Sequence, residues 1–130
     1  MGKEILVSHK ADGKRLIDEL MKSNSEFEIT TAMWYYLDEP DAWRLMIASP
    51  YVQKNGPLKS YKLIRSAIDR INTKSRKKLS FSLENIAVLK PDDPLVNLLK
   101  SMVRHSRGIT LINCYINGFL IEGAHIYFID

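Results

Sequence analysis

Cys114 and His125 are the first residues in this 130-residue sequence whose types could do chemistry together, a thiol and an imidazole supplying a nucleophile and its base. Their spacing argues against that. Asn117-Gly118 is the strongest short-range hairpin signal. A two-residue turn there pairs Ile116 with Phe119, Cys114 with Ile121, and Thr110 with His125. Cys114 and His125 then share a face but stand four residues apart along the ladder, roughly 13 Å at the usual strand rise. A catalytic dyad needs hydrogen-bond reach. Cys114 shares its face with Ile112, Ile116, Phe119 and Ile121, so burial as a small hydrophobe is the favoured reading.

The other polar groups also read more simply as structure. His9, His105 and His125 show no H-x-x-x-H or H-x-H spacing, and Cys114 has no second soft ligand beside it, so no metal site is expected. His105, between Arg104 and Arg107, suits a helix C-terminus. Asp38, Glu39 and Asp41 could hold a hard cation, but a hairpin turn needs the same residue types. The one D-x-K triplet, Asp12-Gly13-Lys14, opens a helix instead of lying on a strand. No dinucleotide, P-loop, nucleophile-elbow or H-E-x-x-H pattern occurs, so no catalytic residue and no cofactor is assigned. An enzyme would need a site gathered from distant residues such as Arg44, Glu122 and Tyr127, which no spacing selects.

Two features rise above this background. Trp34, Tyr36 and Trp43 fall on one face of a predicted hairpin, where aromatic rings could stack bases or line a pocket. Core packing uses the same rings. The second feature is charge. Between positions 54 and 78 lie nine cations, Lys54, Lys59, Lys62, Arg65, Arg70, Lys74, Arg76, Lys77 and Lys78, with Asp69 the one acid. The whole chain is only +4, so the remainder carries a net −4. Such a segment is a candidate anion or nucleic-acid surface, against the plainer reading of a solvated face.

Positioning these residues requires elements that hydrophobic periodicity supplies. An amphipathic helix is predicted over residues 11–22, with Asp12 as its cap and Ser23, Asn24 and Ser25 ending it. Ile5-Leu6-Val7 fits either a strand or an early helical turn. Residues 28–37 and 42–49 read as strands joined by Asp38-Glu39-Pro40-Asp41, with Leu37 opposite Ala42. Ala32, Trp34, Tyr36, Trp43, Leu45 and Ile47 take one face; Met33, Tyr35, Arg44 and Met46 take the other. Both faces are largely apolar, which places this hairpin centrally or under cover on both sides.

A helix is predicted over 57–72, with Pro57 at its first position and Gly56 or Asn55 before it as a cap. Lys59, Lys62, Arg65 and Arg70 lie opposite its apolar stripe, and the basic loop 74–78 follows. Because Lys54, Lys59 and Lys62 crowd an acid-free helix start, a phosphate or carboxylate at Gly56-Pro57 would relieve their field. A strand over 84–90 precedes a helix that begins at Asp93-Pro94 and runs to about Ser106, with Gly108 as its C-terminal cap. The hairpin 109–116 and 119–129 closes the chain. The order α-β-β-α-β-α-β-β predicts one α+β domain, residues 1–130, with a mainly antiparallel sheet and helices packed on it.

Composition agrees: 45% hydrophobic and 26% charged residues are ordinary for a globular chain. No apolar run reaches the roughly 20 residues of a membrane span, so no membrane insertion is expected. The first seven residues do not make a signal peptide, and the single cysteine excludes an intrachain disulfide. A reducing cytoplasmic setting follows as the expectation.

Trp43-Arg44-Leu45 with Ile47-Ala48-Ser49-Pro50, then Asp92-Asp93-Pro94, then Ile121-Glu122 with Ile126-Tyr127, together resemble a group of short, uncharacterised bacterial proteins. The resemblance covers most of the chain and implies a stand-alone prokaryotic domain. It implies no activity. The functional expectation is a non-catalytic binding module whose cationic helix and loop meet RNA, DNA or another polyanion. The alternative is a protein-interaction subunit or homodimer that pairs through the C-terminal hairpin, whose long strand has apolar residues on both faces.

Overall fold

Two apolar faces leave the 28–49 hairpin no stable place except the middle of a covered sheet, and the computed structural model, which describes residues 5–23, 26–39, 41–103 and 107–130, puts it there. Strands β1 (Thr31–Leu37) and β2 (Ala42–Ala48) pair antiparallel with Leu37 opposite Ala42. β3 (Ile86–Leu89) joins the outer edge of β2 in parallel. β5 (Phe119–Ile129) lies antiparallel to β1, and β4 (Arg107–Ile116) pairs antiparallel with β5. The sheet order is β3-β2-β1-β5-β4. The fold is α+β in the expected element order.

Helices cover both faces. α1 (Val7–Ser23) and α2 (Pro50–Lys74) bury Leu16, Ile17, Leu20, Ile64 and Ala67 against Ala32, Trp34, Leu45 and Ile47. α3 (Pro94–Val103) buries Leu99 and Val103 against Met33, Met46, Ala124 and Ile126 on the opposite face. The split follows the strand alternation read from the sequence, since residues i and i+2 share a face. Among the described residues no helix is long and apolar enough to cross a membrane.

Several local expectations change. α1 starts at Val7, so Asp12 sits inside the helix instead of capping it. α2 starts at Pro50, with Ser49 Oγ accepting from Tyr51 N at 3.1 Å. The predicted start at Pro57 is an internal break: Gly56 takes φ 86° and ψ 165°, and the helix resumes after it. Arg70 is not on the solvent side, because its Nε donates to Glu19 of α1 at 3.0 Å. The strand predicted over 84–90 shortens, because Leu83–Asn85 forms a 3₁₀ turn. Asp93 does cap α3, its Oδ1 accepting from Leu95 N at 2.9 Å. The expected extension of that helix through Arg104, His105 and Ser106 lies outside the described residues, as do Asn24, Ser25 and Pro40. Gly108, expected as a helix cap, belongs to β4.

The C-terminal hairpin has the predicted register, with Cys114 opposite Ile121 and Thr110 opposite His125. Its alternation does not run straight through. Asn113 adopts φ 48°, and the inward residues of β4 change from Ile109 and Leu111 to Cys114 and Ile116 across it. Ile112 and Phe119, expected beside Cys114 in the core, are therefore 57% and 63% exposed. Cys114 is half-buried against the α3 side, and His125 faces the α1 side. The two are separated by the sheet as well as by distance along it.

Candidate functional site

Gly13 is the point where α1 meets the sheet. A Cβ there would stand 2.4 Å from Tyr127 Oη and 2.6 Å from Trp34 Nε1, so a larger side chain would have to displace one of them. Trp34 is wholly buried, and a buried indole N–H needs an acceptor. Its Nε1 donates to the His9 carbonyl and to Tyr127 Oη, both at 3.0 Å. Tyr127 Oη in turn donates to the Lys10 carbonyl at 2.5 Å. Burial holds the Tyr127 hydroxyl well above its ordinary pKa, so it stays a donor.

The same turn of α1 is tied to the basic loop. Asp12 is 1% exposed. Its carboxylate accepts from Arg15 Nη1 and from Ser80 N, each at 2.9 Å. Burial alone would raise its pKa, but those hydrogen bonds and the Arg15 charge outweigh burial and hold it below the usual range. Arg15 Nη2 also donates to the Lys77 carbonyl at 2.8 Å. The His9 ring stacks on Trp34 at 4.9 Å, with Nδ1 3.0 Å from Ser80 Oγ. Burial lowers its pKa against the opposing pull of Asp12.

With α1 seated over Trp34 and Tyr127, no helix among the described residues covers the β5–β4 half of that face. A groove of about 610 Å³ opens there between α1 and the strands. Ala11, Ile17, Met21, Tyr127 and Phe128 form apolar walls; Lys10, Lys14, Asp18, Arg107 and His125 supply polar groups. Lys14 Nζ lies 3.1 Å from Asp18. The Arg107 guanidinium carbon stands 5.6 Å above the Phe128 ring. His125 Nδ1 is 2.8 Å from Thr110 Oγ1, and burial, with Lys10 nearby, lowers its pKa. Tyr127 and His125 appear in the sequence as isolated residues. The sequence places Gly13 at the opening of its predicted helix, and the close approach shows only once α1 is seen to start at Val7.

The cations between 54 and 78 form a second surface. Lys54, Lys59, Lys62, Arg65, Lys74, Arg76, Lys77 and Lys78 are all exposed. Of the nine, only Arg70 has a salt bridge among the described residues. Lys59, Lys62 and Arg65 are spaced three residues apart on α2, one face of a helix. Lys74 lies nine residues beyond Arg65, about two and a half turns, so it and the 76–78 loop carry the charge round to the α1 side of α2, where Lys74 stands near Glu19.

The aromatic set does not act as one platform. Trp34 is closed off under α1 and His9. Tyr36 and Trp43 meet edge-to-face at 5.6 Å near the β1–β2 turn. Gly123 makes room for them, since a Cβ there would lie 2.7 Å from the Trp43 ring. Tyr36 donates to Asp41, and that bond, with burial behind it, pushes its pKa up to about 12. Asp41 is thus engaged in the turn, and among the described residues no group of three or more His, Cys, Asp or Glu could hold a metal ion. Arg44 and Tyr127 lie on opposite faces of the sheet: Arg44 pairs with Tyr35 of the α3 cluster, while Tyr127 packs in the α1 cluster. Comparison of the chain with protein-family models, with curated proteins and with solved structures finds no match.

Proposed function

We propose that the protein is a non-catalytic binding module whose exposed α2 face and 74–78 loop contact the backbone of RNA or DNA. The observation that carries the reading is the exposure of eight cations along one helix and its following loop, none in a salt bridge among the described residues. Lysines and arginines already bound to carboxylates would have little to offer a phosphate; among the described residues these eight have no salt bridge to break. The Lys59–Lys62–Arg65 face rises about 9 Å, roughly three phosphates at 3.4 Å per nucleotide along one strand, and the 74–78 loop supplies further contacts on the α1 side. With Trp34 buried beneath α1, base stacking on that ring is not part of the proposal, and binding is sequence-tolerant.

The test measures binding of labelled single- and double-stranded oligonucleotides at two salt concentrations, for the parent and for a variant carrying Lys74→Gln, Arg76→Gln, Lys77→Gln and Lys78→Gln. The parent should weaken steeply with salt. Removing four phosphate contacts should flatten the log–log salt dependence for a single strand by about 3. No binding at low salt, or an unchanged slope in the variant, sinks the reading.

A protein partner at the C-terminal hairpin is the second reading. β4 is an edge strand of ten residues, and Ile112, Tyr115, Phe119 and Leu120 around it are 57%, 70%, 63% and 43% exposed. Such an edge is a template for another strand.

A further inference from the structure

We infer that the groove between α1 and the β4–β5 hairpin binds an amphipathic anion, a medium-chain carboxylate being the simplest ligand of that chemistry. This site is separate from the polyanion surface: Arg15 and Glu19 on one flank of α1 reach the 76–78 loop and α2, whereas Lys10, Lys14 and Met21 line the groove on the other flank. The groove's size, about 610 Å³, is within the roughly 300–1,000 Å³ of small-molecule sites. Its walls are hydrocarbon and aromatic, and its open end leaves Val7 and Met21 81% and 51% exposed. That apolar surface asks for an apolar body to cover it.

The charges around the groove decide the sign of the ligand. Lys10, Lys14 and Arg107 stand against one acid, Asp18, and Lys14 already holds it. Lys10 and Arg107 have no carboxylate partner among the described residues. Arg107 lies over Phe128, so a cation sits directly against the apolar wall. A cationic amphiphile would meet uncompensated repulsion there, and a neutral one would leave both cations unanswered. An anion with a hydrocarbon tail satisfies cations and walls together.

Titration calorimetry on the full chain tests this with hexanoate, octanoate and decanoate, with decyltrimethylammonium as the oppositely charged probe. The carboxylates should bind more tightly by up to about fourfold per added methylene, and decyltrimethylammonium should not bind. Lys10→Glu with Arg107→Glu should weaken decanoate at least about tenfold, since two charge-assisted contacts are lost. Ala11→Trp, an exposed position on the groove wall, should block it while oligonucleotide binding and the melting temperature stay at parental values. Failure of decanoate to bind at millimolar concentration overturns the inference. So does equal binding of decyltrimethylammonium, or decanoate affinity unchanged in both variants.

Discussion

Gly13 sets the height of α1 above the sheet, and everything on that face depends on it. Replacing a mid-helix glycine with alanine ordinarily stabilises a helix by about 1 kcal/mol. Here the added methyl would meet Tyr127 Oη at 2.4 Å and Trp34 Nε1 at 2.6 Å. Neither can move cheaply, because the hydroxyl is held by Lys10 O and the indole is wholly buried. Overpacking of this kind costs about 1–3 kcal/mol, so Gly13→Ala should be net destabilising in urea unfolding by about 1–2 kcal/mol. In a Tyr127→Phe background the nearest clash disappears, and the penalty for Gly13→Ala should shrink. Net stabilisation by Gly13→Ala would mean that α1 lifts off the sheet freely, and the groove beside it would then have no fixed shape.

At the scale of elements, α2 carries two start signals and uses both. Ser49-Pro50 opens the first segment, and Gly56-Pro57 reads as a second N-terminus. Local sequence cannot tell whether residues 50–55 form a loop or a short helix; burial of Val52 in the core decides for helix. The break has a specific requirement, since φ 86° with ψ 165° is open essentially only to glycine. Gly56→Ala should lower unfolding free energy by about 1–3 kcal/mol, although no atom lies within 4 Å of the added methyl. A neutral effect would show that the kink is not needed to dock Val52 and Ile64 together.

The same contrast marks what the sequence made legible. Both hairpins and the facing of β1 and β2 followed from turn chemistry and a period of two, which are local rules. The shift in alternation at Asn113 did not, because asparagine in a left-handed conformation leaves no trace in hydrophobic pattern. The cationic row was readable as a run of charges, except that Arg70 turned inward to Glu19 through a contact 51 residues distant. The groove was unreadable, since its walls come from residues 7–21 and 107–128, which only the sheet order brings together.

Across the whole molecule, the two sheet edges are unequal. β3 is four residues long, whereas β4 offers ten. Natural edges are blunted by lysine, proline, bulges or a covering element. β4 has one charge, Arg107 at its start, no proline, and the single irregularity at Asn113. An antiparallel pairing of β4 with β4 of a second copy satisfies unpaired backbone groups on both chains, and a two-fold axis closes the assembly at a dimer. Exposed Ile112 and Tyr115 would be brought near their counterparts. Sedimentation equilibrium should therefore show a concentration-dependent dimer. Ile112→Lys or Tyr115→Lys should weaken it by about tenfold, or 1.4 kcal/mol, because a lysine on each copy sets like charges against each other. Neither side chain contributes to the buried core, so thermal unfolding of the dilute protein should be unchanged. A parent chain that remains monomeric at its highest soluble concentration removes self-pairing, and the apolar edge then belongs to a different protein or to none.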